Sequence, residues 1–234
     1  MKRFGTEYAG FYYPSSLDGL HSSSVIYCVG AGEDISHDIS LAKETGASVH
    51  IFDPTPRAIA HIDLVKRVLK GESTEPNTRY GGGDPFYWDY FIDTDVDPNK
   101  VHGYPWGIYT ESKTMKFYLP SNPEYVSCSV VEGMKGNSFM EVEVKTLKET
   151  MSLLGHDHID LLKLDIEGCE CDVLAQMMED NIFPKYLAVD FDLGWTGEKI
   201  RNPQQCFDTI DKLKTKGYSI LKQKGPEWSF VRTN

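Results

Sequence analysis

The sequence lacks long apolar runs: no stretch of its 234 residues approaches the roughly 18 to 20 apolar residues that a membrane helix needs. Residues 1–7 carry several charges and lack the apolar core of a secretory signal, so we expect neither export nor membrane insertion. Cysteine is scarce, with five residues. No second cysteine or histidine pair completes a zinc set with Cys169 and Cys171, and this cysteine usage favours a reducing, cytoplasmic location.

Positive charge is also in deficit, because 24 Lys and Arg stand against 35 Asp and Glu and give a formal net charge of −11. Binding to nucleic acid or to an anionic membrane surface needs clustered positive charge, so neither partner is expected. The chain does contain 40% hydrophobic and 12% aromatic residues, enough for a large core in a single domain over 1–234. We therefore expect a small neutral or cationic partner.

Short apolar runs alternate with amphipathic stretches from residue 24 onward, which is typical of βα units and a mostly parallel sheet. Residues 1–23 are interpreted as a lid or an edge segment, and 71–100, rich in Gly, Pro, Asp and Tyr, as an insertion or mobile loop. Core strands are predicted over 25–29, 49–52, 101–108, 159–166 and 186–191, further strands at 115–119 and 141–145, and a closing hairpin at 218–221 and 228–231. Helices are predicted over 34–45, about 56–69, 170–181 and 204–216, and after a capping box formed by Thr146 and Glu149.

The sequence VIYCVGAGEDI places Gly30 and Gly32 between the first core strand and a helix. Such a loop brings bare backbone to a ligand at a helix N-terminus and can serve NAD, FAD or S-adenosylmethionine. Ile35 stands where a dinucleotide fingerprint has its third glycine, and the carboxylates of Glu33 and Asp34 oppose a pyrophosphate. S-adenosylmethionine has no phosphate and carries sulfonium and ammonium groups. The segment therefore favours this cofactor, with an NAD(P)-dependent oxidoreductase as the alternative.

Asp53 ends the second core strand, 21 residues after Gly32. A carboxylate at this position accepts hydrogen bonds from the ribose hydroxyls in folds of this type. Because Asp is also a strong helix N-cap, the alternative is that Asp53 only caps the helix that follows.

Two pairs of acids end the fourth and fifth strands: Asp165 with Glu167, and Asp190 with Asp192. Ligands of open parallel sheets bind outside the carboxyl ends of the strands, so these acids are expected at one edge. If the fourth strand continues, Asp165 and Glu167 share one side of it. One carboxylate can then act as general base towards a hydroxyl, several can hold a divalent cation, or they only cap helices and face solvent.

Three segments resemble the FkbM-type methyltransferases: residues 25–56, residues 161–174 (LLKLDIEGCECDVL) and the closing WSFVR. The D-I-E-G-x-E block after L-L-K is the most specific part. The resemblance implies an α/β, Rossmann-like class I methyltransferase fold, whose mostly parallel seven-stranded sheet has helices on both faces and an antiparallel C-terminal hairpin. It implies S-adenosyl-L-methionine as cofactor and a sugar hydroxyl of a glycan or glycoconjugate as the methyl acceptor.

The resemblance also implies roles for individual residues. It places Asp165 at the strand end nearest the transferred methyl. From strand-end position, the candidate catalytic acids are Asp165, Glu167 and Asp192, and the candidate ligands of a divalent cation are Asp165, Asp190 and Asp192. The implied cofactor site contains Gly30, Ala31, Gly32 and Glu33 beside the methionine half, Asp53, Pro54 and Thr55 at the ribose, Trp106 beside the adenine, and Asp165 near the transferred methyl.

Two positions depart from the family pattern. His37 stands where an aromatic residue is common, and Asp192 replaces a more familiar histidine. The second departure leaves the identity of the general base open. A catalytically silent module that keeps the fold as a scaffold is a further alternative, against which the intact Gly30, Gly32 and Asp53 argue.

Overall fold

The computed structural model describes residues 1–72, 80–92, 94–122, 124–130, 136–191 and 203–233, so Asp192 lies outside the described residues. No helix within these ranges is both long and apolar enough to cross a membrane. The strands are β1 Lys2–Phe4, β2 Phe11–Tyr13, β3 Val25–Val29, β4 Ser48–Phe52, β5 Val101–Tyr104, β6 Gly107–Ile108, β7 Lys113–Tyr118, β8 Phe139–Lys145, β9 Leu161–Leu164, β10 Tyr186–Asp190, β11 Tyr218–Lys224 and β12 Glu227–Arg232. The helices are α1 Ser36–Thr45, α2 Pro56–Leu69, α3 Leu147–Leu154, α4 Glu170–Glu179 and α5 Pro203–Thr215, with short 3₁₀ turns at Gly81–Gly83, Tyr87–Tyr90 and Pro98–Lys100.

The main sheet has seven strands in the order β11-β12-β10-β9-β3-β4-β5. Strands β10, β9, β3, β4 and β5 are parallel, and β12 runs antiparallel to both of its neighbours. The predicted Rossmann-like fold with an antiparallel C-terminal hairpin is therefore confirmed. Alternate residues of β3 show the two covered faces: Ile26 and Cys28 pack with α1 and α2, whereas Tyr27 and Val29 pack with α3, α4 and α5.

The single strand predicted over 101–108 is wrong, because it consists of β5 in the main sheet and β6 in a separate sheet of order β6-β8-β7. Pro105 lies between the two strands and has no N–H to donate to a ladder, so the chain leaves the main sheet there. The small sheet follows the carboxyl end of β5 and lies beside the carboxyl ends of the parallel strands.

Two helix starts differ in detail from the predictions. Helix α1 begins at Ser36, two residues late, because the carboxylate of Asp34 accepts the N–H of Ser36 at 2.9 Å and holds the preceding turn outside the helix. Thr146 caps α3 as predicted, but Ser112 replaces the reciprocal half of the capping box by accepting from the N–H of Thr146 and donating to Glu149.

The N-terminal hairpin β1-β2 and residues 80–92 both pack on the face of the sheet that carries α1 and α2. Their buried aromatic residues join one core, namely Phe4, Phe11, Tyr13, Tyr87, Trp88 and Phe91. Each segment thus contributes to the main core, and the predicted mobility of 71–100 stays a prediction.

Candidate functional site

The glycine loop after β3 is pressed against the loop after β9. Gly30 has φ +84°, and a Cβ added there would overlap the carbonyl oxygen of Asp165. The N–H of Asp165 in turn donates to the carbonyl of Val29 at 3.1 Å. Only glycine fits both the left-handed conformation and this contact, so the two loops lie directly against each other at the carboxyl ends of β3 and β9.

The carboxylate of Asp53 shapes the glycine loop from the end of β4. Its Oδ2 accepts the N–H groups of Ala31 and Gly32 at 2.9 and 3.0 Å, and its Oδ1 accepts the N–H and hydroxyl of Thr55 at 2.9 and 2.7 Å. Thr55, not Asp53, is the N-cap of α2. A carboxylate offers about four lone-pair positions, so ribose hydroxyls can bind Asp53 only by sharing or displacing these donors.

The two acids that follow the glycine loop are both compensated. Glu33 is 8% exposed and receives a two-point hydrogen bond from Arg57, with N–O distances of 3.0 and 2.9 Å. Asp34 is 3% exposed and accepts the hydroxyl of Thr6 at 2.6 Å. Burial raises the pKa of Asp34, and its hydrogen bonds act in the opposite sense. The repulsion of a pyrophosphate expected from these acids is therefore weaker than their number suggests.

Lys163 connects the two loops from the middle of β9. Its side chain is 2% exposed, its Nζ donates to the carbonyl of Gly30, and it lies 3.3 Å from Oδ2 of Asp165. Burial opposes the ammonium form, but the charges of Asp165 and Asp38 outweigh burial and raise the pKa of Lys163. Sequence reasoning assigned no role to this residue, although a lysine inside an apolar strand is rarely buried without a partner.

The D-I-E-G loop departs from the predicted strand alternation. Strand β9 ends at Leu164, and Glu167 adopts a left-handed φ of +54°, so it does not continue the side of the strand that Asp165 occupies. The fully buried Glu170 accepts the N–H groups of Ile166 and Gly168 at 3.2 and 2.9 Å. Sequence reasoning missed Glu170 as a site residue, and its signal was the second glutamate of D-I-E-G-x-E.

Asp190 ends β10, which is parallel to β9 and adjacent to it. Its Oδ1 is buried and has no hydrogen-bond partner among the described residues. Burial, followed by the charges of Asp165, Glu170 and Glu227, raises the pKa of Asp190 to about 9. The side chain is therefore a neutral acid at pH 7, and it keeps a proton beside the other strand-end carboxylates.

The acids predicted to hold a divalent cation do not form a convincing set within the described residues. Oδ2 of Asp165 already faces the ammonium of Lys163 at 3.3 Å, and a cation bound there would be repelled by that charge. Since Asp192 lies outside the described ranges, the three-acid set stays a prediction. We derive no step through a metal.

His37 lies beneath the N-terminal hairpin rather than in the ligand crevice. Its Nε2 is 3.1 Å from the hydroxyl of Tyr13, and the ring is fully buried. Within the described chain, one group of ligand-type atoms, those of Cys28, His37 and Asp38, lies within 4.8 Å of one another. The neighbouring ammonium of Lys163 opposes a cation there, so we interpret this group as a buried polar network.

Trp106 lies beyond the end of β5, at the same edge as Asp53. Its ring centroid is 6.1 Å from that of Phe52 and 5.0 Å from that of Tyr104, whose carbonyl accepts the N–H of Asp53 at 3.2 Å. The indole Nε1 is buried and has no hydrogen-bond partner in the part of the chain that the structure describes. The role of Trp106 beside the adenine stays a prediction.

Residues 124–130 cover the two loops from outside. Val126 is 3.5 Å from where a Cβ on Gly32 would lie, and the hydroxyl of Ser129 donates to the carbonyl of Glu167 at 2.6 Å. This covering segment therefore connects the glycine loop and the D-I-E-G loop.

Comparison with known proteins identifies a related family. A family profile described as "Methyltransferase FkbM domain" matches residues 29–220. No curated protein matches the chain. Among solved structures, a chain of a fibrillarin/Nop5p complex is similar at 10% identity and a TM-score of 0.45, covering 92% of this chain and 75% of that one. The Methanococcus jannaschii fibrillarin pre-rRNA processing protein is similar at 9% identity and a TM-score of 0.43, covering 95% and 69%. Both scores are low, so neither likeness bears on activity.

Proposed function

The chain belongs to the FkbM methyltransferase family, and from this premise we propose that it is an S-adenosylmethionine-dependent O-methyltransferase acting on a sugar hydroxyl of a glycan or glycoconjugate. One observation supports this best: Gly30 packs directly on the backbone of Asp165. A cofactor bound on the glycine loop then has the carboxylate of Asp165 beside its reactive end.

The residues at this edge fit S-adenosylmethionine. Gly30 and Gly32 offer bare backbone, and Trp106 lies beyond the end of β5 next to Phe52 and Tyr104, at the edge where an adenine is expected. The net charge of −11 complements the sulfonium and ammonium groups of this cofactor. When bound, S-adenosylmethionine supplies a methyl group on sulfur for in-line attack by a hydroxyl oxygen.

We assign Asp165 as the group that accepts the hydroxyl proton. Its side chain is 33% exposed, so an acceptor can reach it, and its Oδ2 faces Lys163. This leaves Oδ1 for the acceptor hydroxyl. Asp190, which is protonated at pH 7, supplies a hydrogen-bond donor nearby. Glu167 and Asp192 stay the alternative bases.

The main alternative is a nucleotide-dependent oxidoreductase. Ile35 is fully buried at the position where the dinucleotide fingerprint has the glycine that lets its helix pack closely on the strand, which disfavours this alternative. Repulsion of a pyrophosphate by Glu33 and Asp34 contributes less to this argument, because Arg57 neutralises the charge of Glu33.

We also place the enzyme in the cytoplasm, because none of its five cysteines forms a disulfide.

Calorimetric titration with S-adenosylhomocysteine and with NADH tests the cofactor. We expect micromolar binding of the former and none of the latter; the reverse result, or binding of neither, contradicts the proposal. Incubation with labelled cofactor and a panel of methyl glycosides tests the acceptor, and a chelator added to the same assay tests the divalent-cation alternative.

Two variants test the role of Asp165. Asp165→Asn should lower kcat about 100-fold or more, since it removes the proton acceptor, while the Kd for S-adenosylhomocysteine changes less than about threefold. Asp172→Asn is the control, because this acid lies on the exposed side of α4. Equal kcat values for the two variants would transfer the role to Glu167 or Asp192.

A further inference from the structure

Residues 1–28 lie outside the range that the family profile matches, yet the N-terminal hairpin reaches the candidate site. We propose that Tyr8, at the tip of this hairpin, forms one wall of the acceptor site and stacks on the apolar face of the acceptor sugar. This inference rests on the proposed function, because it assumes a carbohydrate acceptor in front of Asp165.

Hydrogen bonds hold the hairpin tip against other elements on both sides of the site. The N–H of Thr6 donates to the hydroxyl of Ser36 at 2.9 Å, and the hydroxyl of Thr6 donates to Asp34 at 2.6 Å. On the other side, Arg3 makes two hydrogen bonds to Glu227, at 2.7 and 3.1 Å. Glu227 is the register partner of Asp190. The tip is therefore held between the start of α1 and the end of β10.

The ring of Tyr8 has one covered side and a large open surface. A Cβ added to Gly82 would lie 2.5 Å from Cγ of Tyr8, so the bare backbone of Gly82 touches the ring. The residue is nevertheless 59% exposed. An exposed aromatic ring held in place by backbone on one side is preorganised for stacking, since little freedom is lost when a ligand binds.

The position of the phenol relates the ring to the reaction. Thr6 of the tip is hydrogen-bonded to Asp34 after β3, and Arg3 is hydrogen-bonded to Glu227 opposite Asp190 of β10, so the tip lies in front of β9, the strand between them, which is followed by Asp165. Partial burial, followed by the charges of Asp165, Glu167 and Asp34, raises the pKa of Tyr8, in agreement with this position. A pyranose has faces rich in C–H groups and a rim of hydroxyls. The electron-rich ring face of Tyr8 suits the former, and the carboxylate of Asp165 suits one hydroxyl of the latter.

The test uses the full chain with Tyr8→Ala, Tyr8→Phe and Tyr12→Ala. Tyr12 is on the same hairpin, but its ring packs under Arg3, 5.2 Å from the guanidinium, and serves as a matched control. Each protein is titrated with S-adenosylhomocysteine and then assayed with labelled S-adenosylmethionine and methyl glycosides. We expect Tyr8→Ala to raise KM for the methylated glycoside about tenfold with an unchanged Kd for S-adenosylhomocysteine. Tyr8→Phe keeps the ring and should stay within about threefold of the native KM. Tyr12→Ala should also stay within about threefold of the native KM.

Three results would overturn the inference: a native KM in Tyr8→Ala, a loss of S-adenosylhomocysteine binding in that variant, or methylation of no glycoside by the native protein. The last result also removes the carbohydrate acceptor of the proposed function, whereas the first two leave that function intact. Failure of the native protein to bind S-adenosylhomocysteine removes both. Thermal denaturation confirms that the variants are folded, as expected for a side chain that is 59% exposed.

Discussion

Asp53 at the end of β4 and Asp190 at the end of β10 lie at the same edge of one sheet, and their surroundings are opposite. Asp53 accepts hydrogen bonds from four donors of the glycine loop and of Thr55. Asp190 has a buried oxygen with no partner among the described residues, and other carboxylates surround it.

This contrast divides the edge into two functional halves. On the β3-β4 side the polar groups are used to hold backbone in one conformation, which suits a preformed cofactor site. On the β9-β10 side Asp190 has a buried oxygen without a partner among the described residues and a raised pKa, which is typical of groups that handle protons. Three predictions test this division, from the largest effect to the smallest.

Gly30→Ala should have the largest effect, since the new Cβ would overlap the backbone of Asp165 at a φ of +84°. We expect the free energy of unfolding to fall by more than about 4 kcal/mol, or the chain not to fold, as measured by urea denaturation. Gly155→Ala is the control, because Gly155 has φ +71° but no atom within 4 Å of its added Cβ. That variant should lose only about 1 to 2 kcal/mol. Similar losses in the two variants would mean that the loop contact is not tight.

Asp53→Ala should have an intermediate effect. The variant leaves the N–H groups of Ala31 and Gly32 without their acceptor, and we expect a loss of about 3 kcal/mol in urea denaturation, together with weaker binding of S-adenosylhomocysteine. Asp97→Ala is the matched control, because Asp97 makes the same local contact, from Oδ1 to the N–H two residues on, without holding a glycine loop. It should lose about 1 kcal/mol or less. Equal losses would show that the glycine loop does not depend on Asp53.

Asp190→Asn should change mainly the pH dependence of stability. Because the folded carboxyl has a pKa of about 9 and an unfolded one titrates near 4, the folded state holds the extra proton between these values. Its stabilising contribution is therefore complete below about pH 4 and is lost as the pH rises towards 9, by at most about 1.4 kcal/mol per pH unit. Denaturation midpoints measured from pH 5 to pH 9 should fall with rising pH in the native protein and less steeply in the variant. The exposed control Asp172→Asn should keep the native slope, and an unchanged slope in Asp190→Asn would show that Asp190 titrates normally.

Most of the fold could be predicted because its signals are local. Mainly apolar runs of four to eight residues determined β3, β4, β9 and β10 to within about two residues, and Pro56 marked the start of α2. The division of 101–108 was not foreseen, since Pro105 interrupts a pattern that otherwise continues as a strand. Sheet order has no local signal: an antiparallel C-terminal hairpin was expected, but the position of β12 between β10 and β11 was not predicted.

The candidate site was predicted as a set of positions rather than as a set of interactions. Asp53 and Asp165 were placed at the correct edge, because each ends a strand. Their partners were not foreseen, since Lys163 pairs across strands with the carbonyl of Gly30, a residue 133 positions away. Glu170 was missed because a glutamate in a helix's first turn is ordinary in sequence, and only the folded loop turns two N–H groups towards it.

The sequence by itself determined the βα alternation, the family and the positions of the strand-end acids, because periodicity and short motifs depend on neighbouring residues. Only the tertiary structure decided which of those acids are satisfied. The same type of side chain holds a loop at Asp53 and holds a proton at Asp190. N–H donors from the loop after β3 and from Thr55 surround Asp53, whereas acids of the β9 end, α4 and β12 surround Asp190. Hydrogen bonding and burial are properties of that assembled edge, and no single segment contains them.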